Sequence, residues 1–354
     1  MGLDIPATLE TAIDAAVTHH LRLELGGRGL LLTSVDLGLA ESTNAARGGW
    51  LLRHLLAECY PDAEGLAVQF ERTGDMARIG SALAFGAATS RVLAGVGDEP
   101  ARRTLVEYVC AIFNLAIGLV DGICDGDGDV GVQLLDHCHG ADLVGAAMGQ
   151  RDRGWLLTRL PYAVGTDDAV AFTATVIEAF FDNLHALYAD EPLVRRMVGQ
   201  HLAEALRAET ASVRDPFTAL SGDARMECSR ATSVLPFEII ATITNAHRVP
   251  AASPTATVLG EAMWRVDDLV DLTEDARSGA LNGVLLAAAE QRGQPARYDL
   301  ADLTAVLGSP GIATAAADAG RRLYDGLQTV GVTGEDRRAY LAFVQRYADV
   351  DPAL

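Results

Sequence analysis

Residues Trp264 to Asp275 read W-R-V-D-D-L-V-D-L-T-E-D. Asp267, Asp271 and Asp275 recur at i, i+4 and i+8, so a helix turning about 100° per residue sets three carboxylates along one narrow stripe. Like charges so placed repel, at roughly 0.2–0.5 kcal/mol per pair. Val258, Leu259, Met263, Val266, Leu269 and Val270 surround the stripe with apolar sequence. Water is then a poor remedy, and a bound cation is the simplest one.

The chain around this stretch has 354 residues and 49% hydrophobic content, ample for a large core. A net charge of −20 and a pI near 4.7 argue against nucleic acid or an anionic membrane as partner, since both require a basic surface. An anionic substrate would need bridging metal. Five cysteines without paired spacing argue against a disulfide framework. The opening M-G-L-D-I-P lacks the basic and apolar regions of a signal peptide, so a cytoplasmic location is expected. The longest apolar run, Leu105 to Cys124, is broken by Glu107, Asn114 and Asp121 and reads as a buried helix, not a membrane span.

Helical patterns fill the chain. Leu9, Ile13, Val17 and Leu21 mark a first helix ending at Gly26-Gly27, while Leu30 to Leu32 fits either a strand or a buried turn. A second helix is expected from about Asn44 toward Pro61, and a third over Met76 to Leu93. Start signals stand at Asp98-Glu99-Pro100, Thr166-Asp167-Asp168, Asp190-Glu191-Pro192, Ser253-Pro254 and Thr333-Gly334-Glu335-Asp336. Alternating strand patterns, linkers and solenoid repeats are absent from the sequence. One all-α domain over residues 1–354, larger than a four-helix bundle, is the expectation.

The helix begun at Pro100 carries a second acidic constellation, Asp121-Gly-Ile-Cys-Asp125, before a Gly- and Asp-rich stretch expected to be a loop. Counting back by helical steps from Asp125 gives Asp121, Ile117, Asn114 and Cys110; from Asp275 it gives Asp271, Asp267, Trp264 and Gly260. Each helix therefore has an apolar or small-residue wall and carboxylates at its C-terminal end, where the macrodipole disfavours acids by roughly 0.3–1 kcal/mol. Facing each other, the two would enclose a pocket with an apolar floor and an acidic mouth. Hard oxygen ligands with open positions suit Mg²⁺, which keeps waters and takes a few carboxylates plus substrate phosphates.

With these motifs in this order, the whole chain resembles the class I isoprenoid synthase superfamily, which includes trans-prenyl diphosphate synthases, squalene and phytoene synthases, and class I terpene cyclases. D-G-I-C-D at Asp121 to Asp125 resembles a degenerate first aspartate-rich motif. D-D-L-V-D, with Asp267, Asp268 and Asp271, resembles the second motif of the prenyl synthases. Asp267, Asp271 and Asp275 equally resemble the metal triad of terpene cyclases. Arg346-Tyr347 resembles the late Arg-Tyr pair that hydrogen-bonds diphosphate in cyclases. The resemblance implies an isoprenoid synthase-type helical bundle, with three Mg²⁺ ions held by Asp121, Asp125, Asp267, Asp268, Asp271 and Asp275 together with diphosphate. It also implies a further diphosphate-binding arginine upstream of the second motif. Arg225 and Arg230 qualify, because Pro236 is expected to break the helix containing them. Related enzymes often form antiparallel homodimers through outer helices.

The departures favour cyclisation over elongation. The Gly-Gly-Lys-Arg motif that seats isopentenyl diphosphate has only a faint echo in Gly26-Gly27-Arg28, and no Arg-Arg pair follows Asp125. A second diphosphate thus lacks a basic seat. The expected function is a Mg²⁺-dependent terpene synthase that ionises one allylic isoprenyl diphosphate. Metal ions would act as Lewis acids on the leaving group. Arg346 and Tyr347 would bind phosphate oxygens. A cavity including Phe113, Asn114 and Trp264 would shield the carbocation, with ring faces turned to it. The alternatives are a prenyltransferase, head-to-tail or of the squalene and phytoene synthase kind, supported by Asp271-Leu-Thr-Glu-Asp275-Ala-Arg, and a non-catalytic calcium-binding helical protein. For the latter, Asp125-Gly-Asp127-Gly-Asp129 offers acids, but Val130 stands where an EF-hand requires Gly.

Overall fold

The computed structural model describes residues 3–60, 75–94, 100–126, 128–160, 168–213, 217, 220–246, 254–293, 298–329 and 332–353. Among these residues the chain forms fifteen helices and no strand; Thr33 and Ala353 make one isolated bridge. The helices are α1 (Ala7–Gly27), α2 (Ser34–Cys59), α3 (Asp75–Leu93), α4 (Pro100–Gly126), α5 (Gly128–His137), α6 (Gly140–Ala147), α7 (Asp168–Leu187), α8 (Pro192–Val213), α9 (Gly222–Thr244), α10 (Pro254–Val270), α11 (Leu272–Ser278), α12 (Gly283–Arg292), α13 (Leu300–Gly308), α14 (Gly311–Thr329) and α15 (Gly334–Tyr347).

The start signals at Pro100, Asp168, Pro192, Pro254 and Gly334 each open a helix; their flanking residues Asp98, Glu99, Thr166, Asp167 and Ser253 lie outside the described residues. Elsewhere the structure departs from expectation in ways that have local causes. Helix α2 begins at Ser34, well before Asn44, where Thr33 Oγ1 accepts the Asp36 amide at 3.2 Å. Val35 and Leu39 are exposed there while Leu37 and Ala40 are buried, so the apolar pattern is blurred and the Thr-x-x-Asp cap marks the start. The stretch expected to be a loop after Asp125 instead contains α5, whose helical backbone rules out an EF-hand loop ending at Asp136. Asp127 lies outside the described residues, as do the side chains of Asp125 and Asp129. Helix α9 runs through Pro236 without breaking. Proline lacks an amide hydrogen and its ring crowds the carbonyl one turn back, so the local cost falls on the Thr232 carbonyl, which loses its partner there.

Among the described residues two large apolar clusters and a small one around Leu134, Leu160 and Val170 make the core, and α10 belongs to both large ones. Its Ala256, Leu259 and Ala262 belong to the cluster built mainly from α2 to α4 and α7 to α9, while Val266 and Leu269 belong to the one built from α1 and α11 to α14. Each fully buried aliphatic side chain contributes roughly 1.5–3 kcal/mol, so the helix carrying the acidic stripe is anchored at both ends. Helices α9 and α14 flank it. Helix α4 packs between α3 and α7. Its segment Arg102–Cys124 is long and apolar enough to cross a membrane, with hydropathy 1.7, yet it sits largely inside this bundle. Gly86 of α3 permits the close approach: a Cβ there would stand 2.5 Å from the Cys110 carbonyl oxygen.

Candidate active site

Helix α4 brings Phe113, Ile117, Val120 and Asp121 onto one face, at i, i+4, i+7 and i+8. That face lines a cavity of about 120 Å³ closed by Leu135, Cys138 and Leu143 of the α5–α6 segment, Ile177, Phe180 and Phe181 of α7, Leu202, Leu206 and Glu209 of α8, and Thr232 and Pro236 of α9. The Phe113 and Phe180 rings meet at 5.5 Å, and Phe180 meets Phe181 at 5.1 Å. Asp121 and Glu209 are the carboxylates on this otherwise apolar wall. Glu209 had no motif to announce it, because one acid on an amphipathic helix resembles any solvated one.

The stripe of α10 stands beside this cavity and contributes no residue to its lining. The connection runs through α9, which packs against both α4 and α10. Ser229, Thr232 and Pro236 share one α9 face; the last two line the cavity, and Ser229 Oγ accepts the Trp264 indole N–H at 2.9 Å. Trp264, expected on the cavity wall, is thus held one turn away from it, with the Arg265 guanidinium 3.8 Å over its ring. Asn114 also lies elsewhere: its Nδ2 donates to the Ala82 carbonyl at 2.9 Å and ties α4 to α3. A helix face is about 100° wide, so neighbours of a cavity residue need not share its wall.

Four aspartates of the second motif divide between two sides of α10. The Tyr347 hydroxyl sits between Asp267 and Asp271, hydrogen-bonding a carboxylate oxygen of each, at 2.9 Å from Asp271 Oδ2. One hydroxyl proton serves two carboxylates here. Burial and the charges of Asp267 and Asp271 hold the phenol's pKa well above its ordinary value. Asp268 turns inward instead. Its Oδ1 accepts the Gly283 amide at 3.0 Å, its Oδ2 lies 3.4 Å from Arg265, and burial raises its pKa to about 8 against both. Gly283 is required at this contact, since a Cβ would fall 2.8 Å from Asp268 Oδ2 and 2.7 Å from the Trp264 ring.

The stripe is jointed where the sequence suggested one helix. Helix α10 ends at Val270, and Asp271 is the N-cap of α11, although the Asp271 amide still reaches Asp267 O and the Asp275 amide reaches Asp271 O. Asp275 therefore stays on the stripe. Burial pushes its pKa up to about 8; Asn282 donates to it at 2.9 Å and opposes that rise, while the negative charges of Asp267, Asp271 and Asp268 add to it.

Two of the three arginines expected at the diphosphate already face acids. Arg230 bonds Glu261 at 2.9 Å and Glu227 at 3.1 Å, and Glu261 is shared with Arg322. Arg346 pairs with Glu41 of α2. Arg225 is buried, its guanidinium 5.0 Å over the Phe217 ring and donating to the Phe217 carbonyl. A diphosphate bound by Arg230 or Arg346 would exchange one anionic partner for another.

Carboxylate oxygens are the donor set that hard divalent cations take, and Asp267, Asp271 and Asp275 bring three carboxyl groups to one stripe, where Tyr347 and Asn282 meet them with hydrogen bonds from neutral groups. In chemistry the set fits Mg²⁺. As the side chains stand, no group of three or more His, Cys, Asp or Glu among the described residues is arranged to hold a metal by itself. Tyr347→Phe should lower the stability of the metal-free protein by about 1 kcal/mol, the net worth of a partly exposed hydrogen bond. An unchanged melting temperature would argue against that bond in solution. In comparisons with known proteins, no family model and no curated protein matches the chain.

Proposed function

We propose that the protein is a Mg²⁺-dependent class I terpene synthase, an isoprenoid synthase-type helical bundle that ionises an allylic isoprenyl diphosphate and guides the resulting carbocation. The observation that carries the reading is Asp121 on the same α4 face as Phe113, Ile117 and Val120. An exposed acid stands at the edge of a cavity lined by apolar side chains and three phenylalanine rings, and the helix of the Asp267 stripe connects to it through one face of α9. In this reading Asp267, Asp271 and Asp275 hold the cation on one side and Asp121 on the other. Asp268 is assigned to holding α12, because its carboxylate is buried against Gly283.

The reaction breaks the allylic C–O bond heterolytically. The electron pair leaves on the diphosphate oxygen, the carbon skeleton keeps the positive charge, and loss of a proton restores a neutral hydrocarbon. Bound Mg²⁺ would supply Lewis acidity to the leaving oxygens. The Phe113, Phe180 and Phe181 rings present π-faces to a cation and keep water away from it. Tyr347 Oη, once released from its aspartates, is the donor nearest the stripe for a phosphate oxygen.

Incubation with geranyl, farnesyl and geranylgeranyl diphosphates, with and without Mg²⁺, tests this directly. Metal-dependent diphosphate release from at least one of them is expected; none from any of the three would refute the reading. Added isopentenyl diphosphate should not be incorporated, and a product five carbons longer would identify chain elongation instead. A cavity of about 120 Å³ is near the ~150 Å³ that takes benzene, so it accepts about one isoprene unit and its walls must part for the rest. Phe113→Ala should therefore shift kcat/KM toward longer prenyl chains by about tenfold, with ~3–5 kcal/mol of stability lost. An unaltered chain-length preference would place the substrate elsewhere.

A further inference from the structure

Asn282 is fully buried between α10, α11 and α12, and every polar group it carries is engaged. Its Oδ1 accepts the Val284 and Leu285 amides at 3.0 and 3.2 Å, capping α12. Its backbone amide donates to Tyr298 Oη at 3.0 Å. The Nδ2 protons go to two places: the Asp268 carbonyl oxygen at 2.6 Å and Asp275 Oδ2 at 2.9 Å. That carbonyl is the one that would take the Leu272 amide if α10 ran on through Asp271. One side chain therefore meets both the joint in the stripe and its last carboxylate.

We propose that Asn282 is a positioning residue for cation binding: it props the α10–α11 joint through the Asp268 carbonyl and aims Asp275 along the face of Asp267 and Asp271. Capping alone does not account for it. Serine, threonine or aspartate would cap α12 equally well, but the short hydroxyls cannot reach Asp275, and aspartate has no N–H to give it. Only an amide caps with its oxygen and donates with its nitrogen. Groups that hold a metal-binding carboxylate are worth 10- to 100-fold in affinity.

The inference rests on the stripe being the Mg²⁺ site, and a double-mutant cycle separates the two claims. Mn²⁺ binding to the full-length protein is measured by the loss of free Mn²⁺ signal in electron paramagnetic resonance, for the wild type, Asn282→Ser, Asp275→Asn and the double variant. Asn282→Ser should weaken binding about tenfold with the cap kept and the helical circular dichroism unchanged. In the double variant the two losses should fall short of additive, because both act in part through the Asp275 carboxylate, and any loss beyond that of Asp275→Asn reports the prop on the Asp268 carbonyl. Full additivity, or no effect of Asn282→Ser, would overturn the positioning role while leaving the cation site standing. Absence of Mn²⁺ binding in the wild type would overturn both. Should Asn282→Ser fail to fold, the side-chain amide resonance of Asn282 in the wild type decides. It shifts on Mg²⁺ addition if it bears on Asp275, and an unmoved resonance at saturating Mg²⁺ overturns the proposal.

Discussion

Asp267→Ala is expected to lower Mg²⁺-dependent diphosphate release by at least about 10³-fold, since a metal's charge stabilisation in a transition state is worth several kcal/mol and each 1.4 kcal/mol is tenfold. The fold should survive. Asp267 is only partly buried, alanine is the best helix former, and removing the first of three stacked carboxylates relieves repulsion within the stripe. The hydrogen bond from Tyr347 is lost, but its hydroxyl still has Asp271 at 2.9 Å. Diphosphate release and helical circular dichroism, measured on the same preparation, separate the two effects. Turnover near that of the wild type would refute the metal role of Asp267; collapse of the helical signal would assign the residue to the fold.

Asp268→Asn is expected to behave in the opposite way, stabilising the protein while sparing the cation site. Burial sets the Asp268 pKa at about 8, and Asp275 stands at about 8 as well, against ~3.9 in an unfolded chain. The folded protein therefore holds more protons than the unfolded one between these values. Stability contributed by the protonated carboxyls is fully present below pH ~4 and is lost as pH rises to about 8, at ~1.4 kcal/mol per pH unit for each group. Asparagine keeps an oxygen for the Gly283 amide and cannot ionise, so the variant should gain stability at pH 7, less what the Arg265 contact contributed, and lose about half of the slope. Urea unfolding at pH 5, 6, 7 and 8 measures it. A slope unchanged by the substitution would show that Asp268 ionises freely in the folded state. The same variant separates two family patterns. Loss of Mg²⁺-dependent turnover would favour the Asp267, Asp268 and Asp271 ligand set of prenyl synthases over the Asp267, Asp271 and Asp275 triad.

Much of the helical framework was legible because its signals are local. Pro100, Pro192 and Pro254 open α4, α8 and α10, for a proline at the first turn loses nothing that the helix would use. The early start of α2 and the unbroken α9 escape local patterns for a complementary reason. Val35 and Leu39 face outward beside the buried Leu37 and Ala40, which blurs the apolar stripe in the first turns of α2, and Pro236 is carried by packing on both sides, which no local rule records. The helical stretch after Asp125 was hidden by glycines and acids that resemble a loop, although Leu134 and Leu135 pack inside.

For the candidate site, spacing alone put Asp267, Asp271 and Asp275 on one stripe, and put Phe113 and Asp121 on one face of α4. A helix has a fixed angular step, so such groupings follow from the order of residues. Which of two adjacent aspartates faces the stripe and which is buried could not follow from that order. It was decided by α12, whose first amide takes Asp268 and whose cap, Asn282, takes Asp275. Nor could order alone reveal that Tyr347 rests on Asp267 and Asp271, or that Ser229 joins the stripe to the cavity wall. These contacts join segments far apart in the chain, and only packing brings them within hydrogen-bond reach.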